Sequence, residues 1–186
     1  MDKLIVGLGN PDKAYENTYH NIGRVFVDFL TRKLGVSKIE DGVMKTLKLS
    51  NAKNLTFLKP KLYMNESGEA VKKALKNLNL QPDDLIVVHD DSDIEIGNWK
   101  FSVDKTSAGH KGVQSVIKSL KTKKFWRLRI GIRPKQKKGS RRPKAEKFVL
   151  KNIPPAEKSG IYSTFEATIE KIIEKDSPWA VSLIDR

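Results

Sequence analysis

The stretch KLIVGLG, from Lys3 to Gly9, is the part of the sequence that decides the fold. It is a short apolar run ending in glycine, a pattern that indicates a buried strand. A second run, LIVV from Leu85 to Val88, has the same character and is followed directly by His89 and Asp90. Both runs are predicted to be buried strands whose ends deliver polar residues.

Amphipathic segments alternate with these strands. Apolar residues recur at spacings of three and four in four segments, which predicts four helices. Their apolar faces are Ile22, Val25, Phe26, Phe29 and Leu30; Ala70, Val71, Ala74, Leu75 and Leu78; Val113, Val116, Ile117 and Leu120; and Ile161, Phe165, Ile169, Ile172 and Ile173. Further strands are predicted at Val43 to Leu49, Leu55 to Leu58, Trp99 to Val103, Trp126 to Ile132 and Phe148 to Leu150. This alternation predicts a single α/β domain, residues 1–186, with helices flanking a twisted, mixed, largely parallel sheet.

The composition limits the classes of protein to be considered. The chain has 186 residues, of which 38% are hydrophobic and 31% charged, as in a globular domain with a sizeable core. No apolar run approaches membrane-spanning length, and the N-terminus carries no signal-like apolar region. Because the chain has no cysteine, disulfides, thiolate catalysis and cysteine-bound zinc are excluded. We expect an intracellular, cytoplasmic protein that does not bind membranes.

The positive charge is concentrated in one region. The chain carries 36 Lys and Arg against 22 Asp and Glu, a net charge of +14. Thirteen basic residues lie between Lys121 and Lys147, with Glu146 the one acidic residue among them. An evenly charged surface would only aid solubility, whereas a concentrated one predicts contact with nucleic-acid phosphates. Within this region, residues 135–144 are predicted to form a mobile basic loop.

Several common catalytic motifs are absent from the sequence. Gly7-Leu8-Gly9 begins like a dinucleotide-binding fingerprint, but Asp12 stands at the third glycine position. The chain has neither a phosphate-binding GxxxxGK[ST] loop nor the GxSxG motif of α/β-hydrolases. Nucleotide binding and serine-nucleophile chemistry are therefore disfavoured.

Three histidines remain as candidate acid–base groups. A histidine oriented by a carboxylate can take a proton from water near neutral pH. For His20 the residues alone leave two readings equally supported, a general base or, together with Asn21, a helix cap. His89 follows four apolar residues, which favours a structural role. His110 begins a helix, where backbone amides can face an oxygen atom, and a simple tight turn is the alternative.

Other polar residues also have two readings. Asp90, Asp91 and Asp93 can hold Mg²⁺ or cap a turn, and the absence of a phosphate loop favours the turn. Asn65 can cap a helix or bind a carbonyl or ribose hydroxyl. Considered one at a time, these residues do not decide the function.

Considered together, they resemble the bacterial-type peptidyl-tRNA hydrolases. The resemblance rests on six motifs that follow that family's order and spacing over nearly the whole chain. They are LIVGLGNP (Leu4 to Pro11), TYHNIG (Thr18 to Gly23), KPKLYMNESGEAV (Lys59 to Val71), VVHDDSDIEIGNWK (Val87 to Lys100), AGHKGVQSV (Ala108 to Val116) and FWRLRIGIRP (Phe125 to Pro134).

The resemblance implies an enzyme that cleaves the ester between peptide and tRNA. It implies that His20 activates water and that Asp90 raises its basicity and fixes its tautomer. The residues that it places around the substrate are Asn10, Tyr15, Met64, Asn65, His110 and Lys111. Those that it places at tRNA phosphates are Lys100, Lys105, Arg129 and Arg133. It further implies a monomer whose partner is peptidyl-tRNA, with no metal, cofactor or obligate protein partner.

The sequence departs from the family pattern at three places, one of which is a segment of three residues. Lys111 stands where the family usually has asparagine, and lysine cannot accept a hydrogen bond. Lys105-Thr106-Ser107 stands where the family has a glycine-rich segment. Ser102 stands where the family has a lysine that binds a phosphate, and we expect Lys105 to reach the same phosphate. Two other readings stay open: a non-catalytic RNA-binding homologue, for which Lys111 is the sign, and a Mg²⁺-dependent phosphohydrolase.

Overall fold

Six strands form one mixed sheet in the computed structural model, which describes residues 2–48, 54–134 and 144–173. The strands are β1 (Lys3–Gly7), β2 (Met44–Lys48), β3 (Asn54–Leu58), β4 (Leu85–Glu95), β5 (Trp99–Ser102) and β6 (Trp126–Arg133). Their order is β2-β3-β1-β4-β6-β5. The central pairs β3/β1, β1/β4 and β4/β6 are parallel, and the edge strands β2 and β5 are antiparallel to their neighbours. The predicted α/β domain with a mixed, largely parallel sheet is confirmed.

Helices cover both faces of the sheet. They are α1 (Ile22–Lys33), α2 (Ser67–Leu78), α3 (Lys111–Leu120) and α4 (Pro155–Ile173). Side chains of β4 alternate between two hydrophobic clusters: Ile86 and Val88 pack with α1 and α4, and Leu85 and Val87 pack with α2 and α3. This burial on both faces explains why the first four residues of the strand, 85–88, are all apolar.

Glycines bring α1 into direct contact with the sheet. A Cβ atom on Gly23 would lie 2.3 Å from the carbonyl oxygen of Val88, and one on Gly7 would lie 2.3 Å from that of Gly23. Because nothing separates the two backbones, the turn that precedes α1 is held at the carboxyl end of β1 and β4. That turn contains His20.

The central strands differ in length, and the difference opens a crevice. The Leu8 amide donates to the Val88 carbonyl at 3.0 Å, and there β1 ends, whereas β4 continues to Glu95 beside β6. From β1 the chain passes to α1 on one face of the sheet, and after β4 and β5 it passes to α3 on the other. Ligands of α/β sheets bind at such a switch between strand ends.

Two local predictions were wrong. The stretch Phe148 to Leu150 is a turn, not a strand; it is tied to the sequence around His20 by the His20 amide, which donates to the Val149 carbonyl at 2.8 Å. The LIVV strand does not end at Val88, because pairing with β6 carries it through the acidic residues. The predicted basic loop at 135–144 lies outside the described residues, apart from Lys144. In the described ranges, no helix is both long and apolar enough to cross a membrane.

Candidate active site

A cavity of about 690 Å³ opens at the carboxyl ends of β1 and β4. Seven of the predicted site residues line it, although they come from five separate parts of the chain. They are Asn10, His20, Met64, Asn65, Asp90, His110 and Lys111. Tyr15 is half-buried in the short helix Lys13–Tyr15 and is not among the described residues that line the cavity.

Asp90 is the centre of this arrangement. Its side chain is buried, and a single oxygen, Oδ1, lies 2.9 Å from His20 Nδ1 and 2.9 Å from His110 Nε2. Burial alone would raise the pKa of Asp90. His110 and His20 together outweigh burial through charge and hydrogen bonding and hold this pKa well below its usual range. Asp90 is therefore an ionised acceptor at neutral pH.

The tautomer of His110 follows from its two partners. The Val113 amide donates to His110 Nδ1 at 3.3 Å as the N-cap bond of α3, so Nδ1 carries the lone pair. The proton of the neutral ring is then on Nε2, which donates to Asp90. Both ring nitrogens are occupied, and His110 cannot take a proton from a ligand in this state.

His20 has a different arrangement of partners. Its Nδ1 donates to Asp90, so the lone pair of the neutral ring is on Nε2, in a residue that lines the cavity. Burial lowers the pKa of His20, but the charge of Asp90 and the hydrogen bond to it raise it more, against a further lowering by Lys111. The net effect is a raised pKa. His20 thus combines a raised pKa with a lone pair on Nε2.

Asn10 is held rigidly at the end of β1. Its backbone amide donates to Asn21 Oδ1 at 2.8 Å, and its carbonyl accepts from Asn21 Nδ2 at 2.9 Å. Its side-chain Oδ1 accepts from the Met64 amide at 2.9 Å. These three bonds fix the orientation of the Asn10 amide and leave its Nδ2 as a donor for a ligand.

Asn21 is a residue whose role the sequence analysis missed. It occupies the N-cap position of α1, but its side chain makes no cap hydrogen bond, so the capping role considered for it is wrong. The side chain is buried and clamps the loop after β1 instead. An asparagine before a helix predicts a cap, and only the packing of this loop shows the other use.

Exposed residues surround the mouth of the cavity. Asn65 lies in the short helix Met64–Glu66, where its side chain caps nothing, and Lys111 is the first residue of α3. The turn from Ser107 to His110 also lines the cavity. Its two central residues, Ala108 and Gly109, have positive φ angles, which is the mirror-image form of the common tight turn. These residues can reach parts of a ligand that extend out of the cavity.

The acidic residues after His89 do not converge on a common point. Asp90 faces the two histidines, and Asp91 Oδ2 accepts from Arg129 Nε at 2.7 Å. Asp91 Oδ1 accepts from the Asp93 backbone amide at 2.8 Å. Two of the three carboxylates are therefore occupied by protein donors, and this geometry does not support the magnesium interpretation.

One possible ligand atom from each of His20, Asp90 and His110 lies within 4.8 Å of the other two, the spacing of a metal site. A metal ion needs a lone pair on His110 Nε2. The Val113 amide already uses the lone pair on Nδ1, which places the proton on Nε2. The donor chemistry of this trio therefore fits two shared protons and does not fit a metal ion.

The residues predicted to bind phosphates lie beside the cavity on β5, β6 and the following loops. Lys100 and Arg129 are directly opposite each other across β5 and β6, so their side chains share a face of the sheet. Lys105 is exposed in the loop after β5, and Arg133 lies at the end of β6, 3.5 Å from Glu95. The structure therefore places these four cations on neighbouring elements at one side of the sheet.

Comparison with known proteins gives a consistent result. The family model described as peptidyl-tRNA hydrolase matches residues 4–180. The peptidyl-tRNA hydrolase of Aquifex aeolicus is 39% identical over 176 residues, which cover 93% of this chain and 85% of that protein. The one from Thermodesulfovibrio yellowstonii is 48% identical over 136 residues, covering 69% and 71%. A crystal structure of the peptidyl-tRNA hydrolase from Acinetobacter baumannii matches with a TM-score of 0.80 at 28% identity, covering 92% of this chain and 86% of that one. The chain therefore belongs to the peptidyl-tRNA hydrolase family.

Proposed function

We propose that this protein hydrolyses the ester bond between peptide and tRNA, using a water molecule activated by His20. The observation that carries the proposal is the pair of nitrogens on that ring. Nδ1 is fixed on the Asp90 carboxylate at 2.9 Å, and Nε2 is left with a lone pair in a ligand-sized cavity. A base oriented in this way contributes roughly 10²- to 10⁴-fold to a hydrolysis.

The chemistry follows from this arrangement. His20 Nε2 takes a proton from water as the water oxygen bonds to the ester carbonyl carbon. The negative charge that develops on the carbonyl oxygen needs donors, and the Asn10 amide is one that the loop holds in place. The ester C–O bond then breaks, and the proton on His20 passes to the ribose oxygen. The products are tRNA with a free 3′ hydroxyl and the carboxylic acid of the peptide, which then releases its proton to solvent.

Residues at the mouth of the cavity are proposed to hold the substrate. Asn65 and Met64 contact the peptide and the 3′ terminus, and Tyr15 supports that end from outside the cavity. Lys111 donates to the carbonyl oxygen or to a terminal phosphate. The four cations on β5, β6 and the nearby loops, Lys100, Lys105, Arg129 and Arg133, hold backbone phosphates.

A monomer suffices for this mechanism, since one chain contributes every group that the steps require. We therefore propose a monomer without an obligate protein partner and without a metal. We propose the cytoplasm as its location, since translation generates the substrate there. The non-catalytic reading is not favoured, because RNA binding alone needs neither a base nor a buried carboxylate to orient it.

The experiment measures release of tRNA from peptidyl-tRNA in the presence of EDTA. We expect turnover by the wild type and a loss of at least about 10²-fold in His20→Ala. Binding of tRNA by His20→Ala serves as the control for folding and should be unchanged. Binding without turnover in the wild type would instead support the RNA-binding homologue, and activity abolished by EDTA would support a metal-dependent enzyme.

A further inference from the structure

A third histidine, His89, lines the cavity together with His20 and His110. It is 2% exposed and lies on β4 next to Asp90, with its side chain on the opposite face of the strand. Its Nδ1 donates to the backbone carbonyl of Asp90 at 2.7 Å. Its Nε2 is buried and has no hydrogen-bond partner among the described residues. The mechanism proposed above does not use this ring.

The hydrogen bond of His89 replaces one that the sheet cannot supply. The Val88 carbonyl points towards β1 and accepts from the Leu8 amide, the last bond between these strands. The Asp90 carbonyl, two residues further along, points the same way because strand directions repeat every two residues. In the part of the chain that the structure describes, no strand remains on that side to donate to it. His89 Nδ1 therefore satisfies the peptide group of Asp90 beyond the end of β1.

His89 also supports His110. The two ring centroids are 4.7 Å apart at an interplanar angle of 71°, an edge-to-face contact. Burial, and after it the proximity of the titratable His110, lowers the pKa of His89 well below its usual value. The ring is therefore neutral, with its proton on the nitrogen that bonds to the Asp90 carbonyl. The His89 ring therefore contacts both His110 and the backbone of Asp90, the residue whose carboxylate orients His20.

We propose that His89 is a positioning residue for the hydrolysis: its Nδ1–H fixes the Asp90 peptide group beyond the end of β1 and so keeps the Asp90 carboxylate on His20. The inference deepens the proposed function and rests on it. It explains why a polar ring follows four apolar residues in a buried strand. It also assigns different tasks to adjacent residues, because Asp90 acts on the base and His89 acts on Asp90.

Two substitutions separate the hydrogen bond from the ring. In His89→Asn, the amide nitrogen stands at the same number of bonds from Cα as Nδ1, so the donor is kept and the ring is lost. In His89→Phe, the ring and its contact with His110 are kept and the donor is lost. Both variants and the wild type are assayed for tRNA release over a range of pH, with unfolding curves measured alongside.

We expect His89→Asn to keep kcat within about threefold of the wild type. We expect His89→Phe to lose about tenfold in kcat, the effect of one buried hydrogen bond, with KM little changed. Because its Asp90 is no longer held on His20, the acid limb of its kcat/KM profile should move to lower pH. The other charged residues that line the cavity with His20 are Asp91 and Asp93 on β4, Lys111 on α3 and, from the segment before α4, Lys144 and Glu146. Of these, Lys111 lowers the pKa of His20. None of these is altered in either variant.

Equal losses in the two variants, or an unmoved acid limb in His89→Phe, would overturn the proposal. If His89→Phe does not fold, the NMR titration of His20 in His89→Asn decides. An unchanged titration supports the proposal, and a titration shifted to lower pH refutes it. In the wild type, His89 should show the Nδ1–H tautomer and no titration between about pH 5 and 8. A wild type that releases no tRNA would refute the proposed function, while this tautomer measurement would still test the hydrogen bond of His89.

Discussion

Replacing Asp90 by asparagine removes one charge from the site while keeping the shape of the side chain. Both histidines donate to the same atom, Oδ1, at 2.9 Å each. An asparagine whose amide oxygen takes this place can still accept both bonds, so His20 and His110 keep their tautomers. The substitution therefore tests the charge of Asp90 separately from its role in orienting the ring.

The distance gives the size of the effect. A full positive charge on His20, 2.9 Å from the carboxylate oxygen, interacts with it by about 6 kcal/mol at an effective dielectric constant of about 20. If the proton is half transferred in the transition state, about half of this stabilisation, roughly 3 kcal/mol, is lost, which corresponds to about 10²-fold in rate. We expect kcat of Asp90→Asn to fall by that factor.

The pH profile provides an independent measurement of the same charge. The charge of Asp90 raises the pKa of His20, so its removal lowers that pKa. The acid limb of kcat/KM for tRNA release should therefore move to lower pH while the plateau falls. The matched control is Asp104→Asn, an exposed carboxylate in the left-handed conformation that asparagine also adopts. A fall in kcat of less than about threefold, or an unmoved acid limb, would refute the reasoning.

Three further substitutions test other parts of the site and the fold. Asn21→Ala removes the two hydrogen bonds that the Asn21 side chain makes to the Asn10 backbone, so kcat/KM should fall by about tenfold while the circular dichroism spectrum stays native. Wild-type kinetics in this variant would contradict the role assigned to Asn21. Gly23→Ala would place a Cβ atom 2.3 Å from the Val88 carbonyl oxygen on β4. The free energy of unfolding, measured in urea, should therefore fall by about 1–3 kcal/mol, and an unchanged unfolding midpoint would contradict the close packing of α1. Lys111→Gln removes a charge that lowers the pKa of His20, so the acid limb of kcat/KM should move to higher pH, and a shift to lower pH would contradict this assignment.

The sequence was informative about the fold because burial leaves a local signal. Residues 4–6 of β1 and 85–88 of β4 are covered on both faces, so every position in these two segments is apolar and they stand out from their surroundings. The helices are buried on one face, so their apolar residues recur at a regular spacing. The resemblance to one family then indicated which residues surround the cavity. Their spacing along the chain alone did not predict that they lie together.

What the sequence did not show depends on contacts between distant segments. β4 continues past the apolar run because it pairs with β6 through an irregular register, and a Cβ atom on Gly131 would lie 2.2 Å from the Glu95 carbonyl oxygen. The turn at Phe148 to Leu150 has the local pattern of a strand, yet the Val149 carbonyl accepts from the His20 amide, about 130 positions earlier. Asn21 clamps a loop eleven residues away instead of capping its own helix. No local pattern contains these partners.

The three histidines show most clearly why residue type alone could not assign the roles. All three surround one aspartate, yet each ring has a different combination of hydrogen-bond partners. His89 donates to the backbone of Asp90, His110 donates to its carboxylate while accepting from the Val113 amide, and His20 donates to the same carboxylate. Only His20 then combines a raised pKa with a lone pair available to the cavity. The base is therefore selected by which nitrogens the protein has already occupied, and that selection depends on where β1 ends and where α3 begins.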